Sequence, residues 1–222
     1  MSSNNPSIKA DNLSKVIKGY EILKNLSFEV HEGSFVGLLG PSGSGKTTLL
    51  NILGLMDSFS GELYLFGSNV INLSNNEKAR LRNEQIGFIF QSHLLLPELS
   101  LIENIKLPQL LLNKISFNPY EISKLMGLQD KTNNLPSELS SGEQQRGAFA
   151  RAVINKPKLI LADEPTGNLD KDNKKIIFEL LKKYSQNYNA TVIVVSHDEI
   201  IKEYTDNILE IIDGRLITSK IF

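Results

Sequence analysis

The sequence predicts an α/β fold with N-terminal antiparallel β strands and an inserted, mostly helical stretch. Three observations predict it. An apolar run at residues 34–39 ends in a glycine-rich turn, and a helical pattern follows at 48–55. Strand, glycine loop and helix in that order form the phosphate-binding arrangement of α/β proteins. Two later apolar runs, 159–162 and 191–195, read as buried strands, and a helix pattern at 171–184 separates them. Between the two α/β portions, from about 92 to 156, β-branched runs become few.

Residues 8–17 and 26–30 mix apolar and polar side chains as strands do. The apolar run 86–90 ends at Gln91. Helices are expected over 101–112, 119–126 and 142–155. The segments 207–212 and 215–218 read as a closing hairpin around Asp213–Gly214, a dipeptide suited to two successive left-handed residues. The expected organisation is one domain, 1–222, with an α/β core at about 7–91 and 157–222 and a helical subdomain at about 92–156.

Bulk properties narrow the function. A chain of 222 residues suffices for one substantial core. The net charge of -1 and pI of about 6.3 lack the basic footprint of a nucleic-acid binder. With no cysteine, disulfides and thiolate metal sites are excluded. The apolar runs are strand-length, far short of the roughly 20 residues of a spanning helix. Any membrane role is therefore expected to pass through a partner. The polar start, Met1 to Pro6, lacks a signal-peptide pattern and is expected to be loosely ordered.

Gly40-Pro41-Ser42-Gly43-Ser44-Gly45-Lys46-Thr47 matches the phosphate-loop pattern in full, and Thr48 follows it. Glycines let backbone N–H groups approach the phosphates, and the next helix turns its positive end toward them. Lys46 supplies a charge to the β- and γ-phosphates, and the Thr47 hydroxyl can ligate Mg²⁺. The pattern means nucleotide binding; alone it does not separate kinases, GTPases and transport ATPases. The strand at 159–162 then ends in Asp163 and Glu164. Asp163 is placed to hold Mg²⁺ through water, and Glu164 to orient or deprotonate an attacking water.

Leu139-Ser140-Ser141-Gly142-Glu143-Gln144-Gln145-Arg146 opens a helix with Ser140 as N-cap and Glu143 completing a capping box. This segment resembles the signature loop of ABC (ATP-binding cassette) ATPases. Gln91 resembles their Q-loop, Pro165 to Asp170 their D-loop, and Ser196-His197-Asp198 their switch-histidine loop, all in the family's order. The resemblance covers about residues 8–217. It implies a P-loop NTPase core of the ABC type working as a head-to-tail homodimer. ATP would be sandwiched between the phosphate loop of one copy and Ser140, Ser141 and Gly142 of the other. It also implies that Gln91 senses Mg²⁺ and the membrane partner, and that His197 stabilises the γ-phosphate and positions the water. The expected catalytic set is Glu164, His197, Gln91 and Lys46, and the metal set is Thr47, Gln91 and Asp163.

Two positions depart from the family pattern. Ser141 stands where most members have glycine, adding a hydroxymethyl near the expected γ-phosphate. Ile17 stands where an aromatic usually stacks on adenine; Tyr20, three residues on, either substitutes or is a solvent-facing turn residue.

The stretch 82–100, then Glu103, Asn104 and Pro108, is similar to the ATPases of lipoprotein-releasing systems, as are 136–139 and 162–170. That resemblance implies integral membrane permease subunits as partners and a peripheral location on the cytoplasmic face of the inner membrane. Residues 93–96 and 107–112 are apolar enough for docking a permease. The alternatives are the ATPase of another mechanotransmitting system, for peptide or drug export or cell division, and a soluble P-loop kinase or GTPase. A nucleotide-gated scaffold with negligible turnover is a further one.

Overall fold

The computed structural model describes residues 6–167 and 169–221; Met1 to Asn5, Asn168 and Phe222 lie outside them. The chain opens with the hairpin β1 (Pro6–Ile17) and β2 (Tyr20–His31), then β3 (Phe35–Leu39) and α1 (Lys46–Leu53). β4 (Ser60–Leu65), β5 (Ser68–Asn69), α2 (Asn75–Gln85) and β6 (Ile86–Phe90) follow. Three helices come next: α3 (Leu101–Leu112), α4 (Pro119–Leu125) and α5 (Ser141–Val153). β7 (Leu159–Asp163), α6 (Lys171–Tyr188), β8 (Thr191–Val195), β9 (Asn207–Ile212) and β10 (Arg215–Ile221) complete the fold.

The strands form two sheets. The smaller is antiparallel, in the order β2-β1-β4-β5; the larger runs β10-β9-β3-β8-β7-β6. In the larger sheet β9, β3, β8, β7 and β6 are mutually parallel, and β10 joins antiparallel at the edge. The central strands are apolar throughout because both faces are covered. Alternation along them assigns each side chain to a layer. Leu159, Leu161, Ile193 and Val195 pack with α1 and the smaller sheet. Ile160, Ala162, Val192 and Val194 pack with α3, α5 and α6. At the β9–β10 turn, Asp213 (φ 48) and Gly214 (φ 76) are both left-handed, as the hairpin geometry requires.

β4 and β5 add strands that no reading of residues 56–85 foresaw, and three further elements differ from the sequence expectation for identifiable reasons. β2 starts at Tyr20 rather than at 26 because Asn25 takes a left-handed φ of 51 and shifts the pairing register, which breaks the two-residue alternation. α2 buries no residue, so it carries no hydrophobic period; its one sequence signal is the Ser74–Glu77 capping box. α6 runs on to Tyr188, closed by left-handed Asn189.

Candidate functional site

Parallel strands bring their carboxyl ends to one edge of a sheet, where α/β proteins place ligands. Here that edge receives the phosphate loop from β3, Gln91 from β6, Asp163 and Glu164 from β7, and His197 just after β8. A cavity of about 370 Å³ forms between them. Ser42, Gly43, Gly45, Lys46, Thr47, Thr48, Gln91, Asp163, Glu164 and His197 all line it, so most of the expected residues converge. A second cavity of about 730 Å³ adjoins it and shares Gln91, Glu164 and His197.

The loop geometry depends on glycine at defined positions. Gly40 has φ 142, and a Cβ there would lie 2.0 Å from the Ile211 carbonyl oxygen. Gly45 (φ 103) is the N-cap of α1 and offers no side-chain cap, so the first N–H groups of that helix face the cavity without a side-chain acceptor. Lys46 is 6% exposed, and its Nζ donates to the carbonyls of Gly40 and Pro41, each at 2.8 Å. Burial pushes its pKa down, while Glu164 and Asp163 pull it back up. Pro41 thus shapes the lysine cradle rather than the cavity wall. Ser44 Oγ is buried and makes no hydrogen bond in this structure.

Glu164 occupies a left-handed conformation, φ 46, at the end of β7, with its N–H donating to the Val195 carbonyl at 3.0 Å. Such backbone outliers in non-glycine residues gather at functional sites. Its Oε2 accepts from the His197 N–H at 3.3 Å, and its Oε1 lies 3.0 Å from His197 Nε2. Burial raises the Glu164 pKa most, against the lowering influence of His197. Gln91 packs on Gly167, where a Cβ would come within 2.8 Å of its Nε2.

Thr47, Gln91 and Asp163 bring oxygen donors to one cavity, the chemistry a hard divalent cation needs when phosphate and water supply its other ligands. Among the described residues no cluster of three or more His, Cys, Asp or Glu could hold a metal by itself.

Ser140, Ser141 and Gly142 line neither cavity. They form the start of α5, where Ser140 Oγ accepts from the Glu143 N–H and the Glu143 carboxylate accepts from the Ser140 N–H. Ser140 and Ser141 are exposed and Gly142 is buried. Within one chain, then, the two expected halves of a nucleotide site are apart.

The chain belongs to the ABC transporter family. That family's pattern matches residues 23–167. Curated relatives carry the same assignment. The chain is 44% identical over 216 residues to the lipoprotein-releasing system ATP-binding protein LolD of Aquifex aeolicus, covering 95% of this chain and 96% of that protein. Identity to the LolD of Buchnera aphidicola is 46% over 204 residues, 88% of this chain and 90% of the relative. A solved dimeric ATP-binding cassette, in a post-hydrolysis state bound to ADP and Pi, superposes with TM-score 0.89 at 36% identity, covering 96% and 98% of the two chains. The chain is accordingly an ABC ATP-binding subunit, an ATPase whose hydrolysis is coupled to transport.

Some neighbours of the site carry no signal in the sequence. Ile22 lines the cavity beside Ile17, whereas Tyr20 is 76% exposed and does not. Lys174, on α6, lines the adjoining cavity and holds Asp198 in an ion pair of 2.7 Å. That contact keeps the Asp198 carboxyl below its ordinary range.

A third cavity, about 830 Å³, lies away from the nucleotide edge between α2, β6, α3 and α5. Phe88, Phe90, Leu107, Pro108, Leu111 and Leu112 supply apolar walls. Residues 93–96, the other expected docking segment, do not line it. His93 and Leu94 are fixed instead to α5, and Leu96 to Asn104 of α3. Arg151 donates to the carbonyls of His93 and Leu94, and the His93 ring contacts the Gln145 side chain.

Proposed function

We propose that the chain is the ATPase subunit of a lipoprotein-releasing transporter, working as a head-to-tail homodimer beneath two membrane permease subunits. The observation that carries this reading is the separation of the start of α5 from the phosphate-loop cavity. A signature loop that cannot reach its own nucleotide fits one that reaches a partner's. The relatives are ATP-binding proteins of lipoprotein-releasing systems, which supports the cargo.

In this reading the phosphate loop and the start of α1 bind the phosphates, and Lys46 leaves its carbonyl cradle to meet the β- and γ-oxygens. Ile17 and Ile22 offer an aliphatic face to adenine. Thr47, Asp163 and Gln91 hold Mg²⁺, which when bound would offset charge on the phosphate oxygens. Glu164 accepts a proton from the attacking water as the new P–O bond forms and the bond to the ADP oxygen breaks. His197 keeps Glu164 oriented and contacts the γ-phosphate. Ser140, Ser141 and Gly142 of the partner copy close the site with a helix N-terminus.

Residues 92–156 act as a helical subdomain, and the 830 Å³ groove between it and the α/β core receives an apolar helix of the permease. Among the described residues no helix is long and apolar enough to cross a membrane. Peripheral attachment at the cytoplasmic face of the inner membrane follows from docking to such a partner.

Tagged Glu164→Gln protein, held with ATP and Mg²⁺ and mixed with solubilised membranes of its source, is expected to retain a pair of lipoprotein-release permease subunits. Retention of a different permease would overturn the cargo assignment. Leu111, in the groove and 73% exposed, is the test of the docking face. Leu111→Glu is expected to lose the permease in the same pull-down while ATP hydrolysis by the isolated chain stays within about twofold, since an exposed apolar-to-charged change costs little stability.

The raised Glu164 pKa adds a pH dependence. A general base works deprotonated, so kcat/KM is expected to fall as the pH drops through a pKa above the ordinary glutamate range. A rate that stays level down to that ordinary range would contradict the assignment. The residual rate of Glu164→Gln should lack this acid limb.

A further inference from the structure

The first turn of α6 lies between the signature end of α5 and the histidine loop, and it touches both. Asp170 caps α6 by accepting from the Asn173 N–H at 2.8 Å. Capping needs nothing more than that bond. Yet the Asn173 side chain is also engaged. Its Nδ2 donates to Asp170 Oδ2 at 2.9 Å, and its Oδ1 accepts from Arg146 Nη1 of α5 at 3.1 Å. Gly142 packs directly on it: a Cβ at Gly142 would lie 2.5 Å from Asn173 Oδ1. The next residue, Lys174, donates to Asp198 Oδ2 at 2.7 Å, both side chains being 28% exposed and so partly shielded from water. Asp198 adjoins His197, whose backbone and ring both meet Glu164.

We propose that Asn173 and Lys174 are positioning residues that couple the signature end of α5 to the His197–Glu164 pair of the same chain. The inference rests on the head-to-tail sandwich described above. In that sandwich, residues 140–142 contact the nucleotide bound by the partner, whereas His197 and Glu164 act on the chain's own nucleotide. The two links on α6 therefore join the two ATP sites through one protomer. When the partner's site fills, α5 is drawn in, Gly142 and Arg146 carry Asn173 with them, and Lys174 holds the histidine loop in register. Packed, hydrogen-bonded elements of this kind transmit coupling between sites. Neither residue touches the reacting atoms.

The test is a double-mutant cycle on the full chain. Asn173→Ala and Lys174→Ala are each expected to lower kcat for ATP about tenfold, with KM changed less than about twofold. Because the links act in series, the double variant is expected to be no slower than the slower single one. Lys174→Arg, which keeps the ion pair, should recover kcat to within about threefold of the parent. In a Glu164→Gln background, each variant should still dimerise with ATP. Unchanged kcat, losses that multiply in the double variant, or lost dimerisation would each overturn the proposal. If Glu164→Gln itself stays monomeric with ATP, the sandwich fails first and the inference falls with it. If it dimerises and the kinetic pattern is missing, the coupling inference alone is wrong.

Discussion

Glu164→Gln is expected to stop turnover and lock the chain into an ATP-bound dimer. The amide keeps the size and the acceptor oxygen of the carboxylate but cannot take a proton. A positioned general base contributes about 10²–10⁴-fold, and phosphate release should fall by that factor. Nucleotide affinity should not fall. The carboxylate is half-buried beside Asp163 and destabilised by that burial, so neutralising it removes repulsion against the incoming triphosphate. Size-exclusion chromatography with and without ATP checks the second half: the variant should elute as a dimer only with ATP. A variant that hydrolyses ATP within threefold of the parent would remove Glu164 from the mechanism.

Lys46→Ala is expected to weaken ATP binding severely. The lysine sits 6% exposed with its Nζ held by two carbonyls, and burial disfavours its charged form. A triphosphate supplies negative charge that offsets the hydration the ammonium loses on burial. Charge-assisted hydrogen bonds contribute about 1.5–3 kcal/mol each, so ATP affinity should fall about 100-fold when the ammonium is deleted. Titration with a fluorescent ATP analogue measures this. The fold should persist, because Lys46 caps loop carbonyls that solvent can reach once the side chain is gone. Thermal unfolding without nucleotide is thus expected to change little, whereas the ATP-induced rise in Tm should shrink at any given ATP concentration.

Much of the site was legible in the linear sequence because its chemistry is local. The phosphate loop needs glycine at set positions ahead of a helix, and Gly40, Gly43 and Gly45 take positive φ as that chemistry demands. The apolar run ending in Asp163 and Glu164 could be read as a buried strand delivering two carboxylates, since a strand covered on both faces must be apolar throughout. The Ser140–Glu143 capping box marked the start of α5 for the same kind of reason: the cap satisfies N–H groups within one turn. Even the closing hairpin was fixed locally, by Asp213 and Gly214 in a two-residue left-handed turn.

Tertiary structure decided what depends on residues far apart in the chain. α2 has no buried face, so it is held by its cap and its neighbours rather than by a hydrophobic pattern that could be read. Ile22 reaches the cavity beside Ile17 only because β2 pairs with β1 across a register shift. The strain at Glu164 exists because its N–H must meet the Val195 carbonyl of the neighbouring strand. The Arg146–Asn173 and Lys174–Asp198 links span 27 and 24 residues of sequence. By itself, then, the sequence determined most of the elements and the nucleotide chemistry, because propensity, capping and phosphate binding are short-range. Which side chains meet across α5, α6 and the histidine loop was left to packing, because only the folded sheet brings those ends together.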